Sequence, residues 1–98
     1  MDFAGFTQSV AAAAPPAALN SAMQALWWDA KGDWSKAHQC AQAQDDKTGA
    51  WVHAYLHRKE GDQSNAGYWY RRAGKSPATV PLDEEWSAIA AALLAAAM

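Results

Sequence analysis

The chain repeats itself. Displaced by 29 residues, ALWWDAKGDWSKAHQCAQ (Ala25–Gln42) lies over AYLHRKEGDQSNAGYWYR (Ala54–Arg71). Gly32-Asp33 then meets Gly61-Asp62, Ser35 meets Ser64, and Ala37 meets Ala66. A glycine tolerates the left-handed backbone that ends a helix, and an aspartate accepts hydrogen bonds from the free N–H groups that open the next. Each unit therefore reads as a helix, a Gly-Asp turn and a second helix. The alanine matched between units lets the two helices approach closely. This restricts the chain to stacked helical hairpins.

Apolar periodicity extends the pattern. Ala18, Leu19, Ala22, Met23, Leu26, Trp27 and Ala30 form a stripe at helical spacing, which predicts a helix over 18–31 with Pro16 near its start. The second helix runs over 33–44, capped by Asp33, with Trp34, Ala37, Ala41 and Gln44 on one side. Asp45 or Asp46 caps a third over 47–60, whose stripe is Trp51, Val52, Tyr55 and Leu56. The fourth spans 62–73, capped by Asp62, with Ala66, Trp69, Tyr70 and Ala73 in line and Gly74 as its stop. Residues 75–81 carry two prolines and read as a linker. Asp83, Glu84 and Glu85 favour a helix start over 82–97 through the macrodipole. Its apolar face is Leu82, Trp86, Ile89, Ala90, Leu93, Leu94 and Ala97. Residues 1–17 form an arm or a short helix. No segment alternates with period two, so no sheet is expected.

GDWSKAHQCAQAQ and GDQSNAGYWYRRA resemble the turn and second helix of the tetratricopeptide repeat. Asp62, Ala66, Trp69, Tyr70 and Ala73 fit that family's pattern; Asp33 and Ala37 fit it, but Cys40, Ala41 and Gln44 depart. The resemblance spans residues 18–74. The stretch from Leu56 to Gly74 is also similar to small bacterial proteins of unassigned function with an LHR-x-EGD-x2-NA-x-YWYRRAG-like signature. What the repeat family implies is an antiparallel helical array that offers a groove to a peptide or protein. The family's unit is longer, about 34 residues. Its register would bury Ala50, His53, Ala54 and His57, whereas the local stripe buries Trp51, Val52, Tyr55 and Leu56. Burying a large apolar side chain is worth about 1.5–3 kcal/mol, while buried imidazoles need dedicated partners. The local stripe is therefore preferred, which turns the histidines and arginines outward.

Much of the apolar content is alanine, which adds little buried area. Six tryptophans compensate; each can bury about 150–250 Å², and Trp27, Trp34, Trp51, Trp69 and Trp86 are the expected anchors. The net charge of -2 gives no general attraction to nucleic acid or to anionic membranes. The single cysteine, Cys40, excludes an internal disulfide framework, fits a reducing compartment and reads as a small buried hydrophobe. The amino-terminal Met-Asp lacks the basic region of a secretory signal, and Ser87–Met98 is too short to span a bilayer. A cytoplasmic location is expected.

Charge is uneven along the chain: residues 53–75 hold Arg58, Lys59, Arg71, Arg72 and Lys75 against Glu60 and Asp62. His53 and His57 share a helix face, with Glu60 in reach. Two histidines fall short of the three or four ligands of a zinc site, so no metal ligand is assigned. Asn65, Tyr68 and Arg72, spaced i, i+3, i+7, combine an amide, a phenol and a guanidinium fork. They can hold a carboxylate, a phosphate or a peptide backbone, or the arginines can answer helix carbonyls and pair with Glu60 and Asp62. Trp28 matches His57 in the repeat; it serves either as an interface anchor or as packing beneath the arm with Phe3 and Phe6.

The expectation is an all-α, tetratricopeptide-like domain over 18–98. Hairpins 18–44 and 47–73 are closed at one open end by a capping helix, 82–97. The expected function is that of an adaptor or scaffold holding a protein or peptide segment, or a small acidic ligand, at His53, His57, Arg58, Asn65, Tyr68 and Arg72. No cofactor and no catalytic residue are assigned. Two alternatives stand: a small enzyme or metal-binding protein using His53, His57 and Glu60, and a self-associating structural module that dimerises through its alanine-rich last helix.

Overall fold

The computed structural model describes residues 1–96. Six helices follow in order: α1 (Phe3–Ser9), α2 (Ser21–Ala30), α3 (Trp34–Ala43), α4 (Lys47–Lys59), α5 (Gln63–Ala73) and α6 (Leu82–Ala96). There is no strand among the described residues. Position 97, counted in the last predicted stripe, lies outside them.

The repeat appears as two hairpins with matching turns. Gly32 and Gly61 are left-handed, at φ 87° and 90°. Asp33 and Asp62 follow with ψ of 83° and 81°. Each aspartate N–H closes back on the carbonyl five residues earlier: Asp33 on Trp28 at 3.0 Å, Asp62 on His57 at 2.9 Å. Each carboxylate then accepts from the amide three residues on, Lys36 and Asn65. Both ends of each turn are thus satisfied locally, which is why both copies fold alike.

One helix start differs from the expected one by several residues, and one open choice of cap is decided. The first long helix opens at Ser21 rather than at 18, because Asn20 is extended and its carboxamide oxygen accepts from the Met23 amide at 2.9 Å. Leu19 stays in the preceding turn and still packs against the core. Asp46, not Asp45, caps α4 and accepts from Gly49 N at 2.8 Å. Gly49 has no freedom to carry a side chain, since a Cβ there would stand 1.8 Å from the Gln44 carbonyl oxygen. Gln44 itself turns inward, and its Oε1 accepts from Ala22 N at 2.8 Å, tying the start of α2 to the α3–α4 turn.

Helix α4 is the centre of the molecule and packs against α2, α3, α5 and α6. The last helix does not extend the row of hairpins beyond α5. It lies against α2 and α4, the first helices of both hairpins, and α1 docks onto it. Phe6 is fully buried and stacks on Trp86 at 5.6 Å between centroids; Phe3 meets the same indole edge-on. Trp86 donates its indole N–H to the Leu26 carbonyl at 3.0 Å. A polar staple fastens the linker: Arg58 donates to Glu85 at 2.8 Å and to the Val80 carbonyl at 2.6 Å, while the Tyr70 hydroxyl donates to the other Glu85 oxygen. Glu85, read from the sequence as a helix-start charge, is buried. It is held there by these charge-assisted bonds.

Trp27 alone among the expected anchors is fully buried. Trp34, Trp51, Trp69 and Trp86 are half-buried. Trp27 and Trp34 place their indole N–H groups on Ser9 Oγ and the Leu56 carbonyl. Cys40 is likewise only half-buried. Trp28 sits edge-on against Trp27 with the Lys36 ammonium 4.3 Å from its ring centre. The phenylalanines of α1 go to Trp86 instead. No helix among the described residues is long and apolar enough to cross a membrane.

Candidate functional site

The histidines are not outward. His53 and His57 are 3 % and 8 % exposed, and Val52, Tyr55 and Leu56 are buried as well. Both competing registers of α4 are therefore inside, because a helix with neighbours on nearly every side has almost no solvent face. Only Trp51 of the expected stripe is left half-exposed, with the Lys75 ammonium 4.2 Å from its ring centre. The expectation that imidazoles face water fails because it treated α4 as a helix with one buried side.

Burial of the imidazoles is made acceptable by a ring cluster at the junction of α3, α4 and α5. Helices α3 and α5 flank α4 without packing on each other. Across that junction His53 stacks on Trp69 of α5 at 3.9 Å and on His57 at 4.8 Å. His38 of α3 stacks on Trp34 at 4.9 Å and meets His53 edge-on. His53 Nε2 and His38 Nε2 are 2.9 Å apart, a hydrogen bond that requires one ring to donate and the other to accept. His57 Nδ1 lies 2.9 Å from Glu60 Oε1. Every buried side-chain polar atom described has a partner.

The environment disfavours protonation of His53 and His38. Burial, then the nearby His38, His57 and Arg72, lowers the His53 pKa to about 4. The His38 pKa is lowered too, by burial and by His57, with Glu60 opposing. Neutral imidazole is the form that makes a mutual hydrogen bond and the form that ligates metals.

The other candidates separate. Arg72 lies over the same Trp69, its guanidinium carbon 5.1 Å from the ring centre, and 5.9 Å from that of Tyr68. Its nearest carboxylate, Asp45, is 3.6 Å away and almost fully exposed. Tyr68 is 44 % exposed. Asn65 is exposed and spends its amide on its own cap residue, donating to Asp62 at 2.8 Å. Arg58 belongs to the Glu85 staple, away from this group. Thus His53, Tyr68 and Arg72 come together around Trp69, and His57 stacks on His53, whereas Arg58 does not join them. His38 was passed over. It stands alone on α3 in the sequence, and only the α3–α4 crossing brings it to His53.

Two surface clefts lie elsewhere. One of about 360 Å³ is bordered by Asp29, Tyr55, Lys59, Asp83, Trp86 and Ser87. Asp29 is buried there, but both its oxygens are taken, by the Tyr55 hydroxyl at 2.7 Å and the Lys59 ammonium at 2.8 Å. The other, of about 280 Å³, lies between Lys47, Trp51, Lys75 and Leu93. In comparisons with protein-family models, curated proteins and solved structures, nothing matches the chain.

Proposed function

We propose that this chain is a binding module for an acidic peptide segment, built on a tetratricopeptide-like pair of hairpins and working in the cytoplasm. The observation that carries the reading is Arg72. Its side chain is nearly half exposed and rests over Trp69 and Tyr68, with two long, exposed contacts: Nη1 donates to the Tyr68 hydroxyl at 3.4 Å, and Nη2 lies 3.6 Å from Asp45. A guanidinium stacked on aromatic planes keeps its edge N–H groups free for a carboxylate, and stacking reduces the entropy lost when that bond forms. Arg71 and Lys75 are exposed nearby in sequence and add positive charge. The half-exposed phenol of Tyr68 offers apolar contact beside the charge. The repeated turn geometry supports the hairpin-repeat part of the reading, and the placement of α6 against α2 and α4 leaves the α5 surface as the available side.

The test is a fluorescence-anisotropy titration of the full chain with labelled peptides rich in Asp and Glu, against neutral peptides of the same length. Preferential binding of the acidic set is expected. Arg72→Ala should weaken it about tenfold or more, corresponding to a charge-assisted hydrogen bond of about 1.5–3 kcal/mol. The melting temperature of that variant should stay within about 2 °C of the parent, since an exposed side chain contributes little to stability. Equal binding of acidic and neutral peptides would end the proposal.

A further inference from the structure

We infer that His38, His53 and His57 form a binding site for one borderline divalent transition-metal ion, with zinc(II) as the reference ligand, and that Glu60 is the outer-sphere carboxylate orienting His57. This site adjoins the Arg72 surface across Trp69, but its ligands do not include Arg72 and it does not rest on the peptide-binding reading.

The geometry supplies what the sequence alone lacked. One ring nitrogen from each of the three histidines lies within 4.8 Å of the others. Zinc–imidazole bonds of about 2.0–2.1 Å place the nitrogens of a tetrahedral site roughly 3.3–3.4 Å apart. The 2.9 Å separation of His38 and His53 must open by a few tenths of an ångström, and the widest separation must close by about 1.5 Å at most. With Nδ1 of His57 engaged by Glu60, Nε2 is the nitrogen left for an ion. A histidine whose second nitrogen donates to a carboxylate is the arrangement that fixes ligand tautomer and orientation in metal sites.

The environment agrees with the donor set. Glu60 and Asp62 offset the charge of Arg72 beside the cluster; one oxygen or nitrogen of each of His57, Glu60 and Asp62 also falls within 4.8 Å of the others. Three imidazoles suit Zn(II), Co(II), Ni(II) or Cu(II) rather than Mg(II) or Ca(II), which prefer oxygen. His38 is the least buried of the three, so an ion enters from its side.

The experiment is zinc binding by the full chain, freed of any polyhistidine tag and stripped with chelator. One zinc per chain should survive gel filtration, and a competition titration with a chromophoric chelator gives its affinity. His38→Ala and His57→Ala should each weaken binding at least about tenfold, and Glu60→Gln about 10–100-fold, as outer-sphere losses do. Glu60 is partly exposed, so that variant keeps the fold. Should the histidine variants unfold, the imidazole nitrogen resonances of the parent decide directly: zinc must shift those of all three rings together. No retained zinc, or an affinity unchanged in Glu60→Gln with only one or two rings shifting, would overturn the site.

Discussion

At the scale of single residues, His53 carries the largest conflict between burial and chemistry. It lies under Trp69 and between two other imidazoles, with Arg72 adding a positive field, and protonating it would bury an unpaired cation. Its pKa is lower in the folded chain than the ordinary histidine value. Folding therefore excludes protons that the unfolded chain would take up. That contribution is complete above pH of about 6.5 and is lost as the pH falls toward about 4. In chelating buffer, urea-unfolding stability should fall steadily from pH 7 to pH 4.5. The acid limb should be smaller in His53→Gln, measured relative to that variant's own stability at pH 7. Stability that is flat across this range would mean the ring cluster opens to water. Burial of these rings could not be read from residue type, because a histidine at a helix face is acceptable inside only when particular partners arrive from other helices.

At the scale of elements, the Gly-Asp turns were legible because their chemistry is local. Gly32 and Gly61 lie at matching left-handed angles and a Cβ at either would meet nothing within 4 Å, so conformational strain is the whole cost of a side chain. Gly32→Ala and Gly61→Ala should each destabilise by about 1–2 kcal/mol, and by the same amount within about 0.5 kcal/mol. Thermal unfolding of the two variants measures this; a large difference would show that the turns are not equivalent. The start of α2 was misplaced because helical spacing of Ala18 and Leu19 is weaker than the capping of Asn20, whose bond to the Met23 amide sets the first turn. The short α3–α4 connection was expected, but the close packing of Gly49 within it was missed. Gly49 there is needed for a close approach to a carbonyl, and nothing in the neighbouring sequence reveals that carbonyl's position.

At the scale of the whole molecule, the arm and the last helix complete the core. Phe6 from α1 and Trp86 from α6 stack beside Trp27, joining chain segments that no short-range pattern relates. Phe6→Ala should cost about 3–5 kcal/mol, a large share of what so short a chain can have. At about 4–8 °C per kcal/mol, a fall in melting temperature of 12 °C or more is expected by circular dichroism. A fall under 3 °C would show that α1 is an appendage rather than part of the core.

Helix content, the paired turns and the absence of a period-two pattern were determined by the sequence alone. They follow from spacing, glycine conformation and side-chain capping, which act over a few residues. The side from which α4 meets each neighbour, the position of α6 against both hairpins, and the meeting of His38 with His53 were decided only by tertiary structure. A stripe states that one face of a helix must be buried. It does not state how many further faces its neighbours will cover, and in α4 that number determined where the histidines lie.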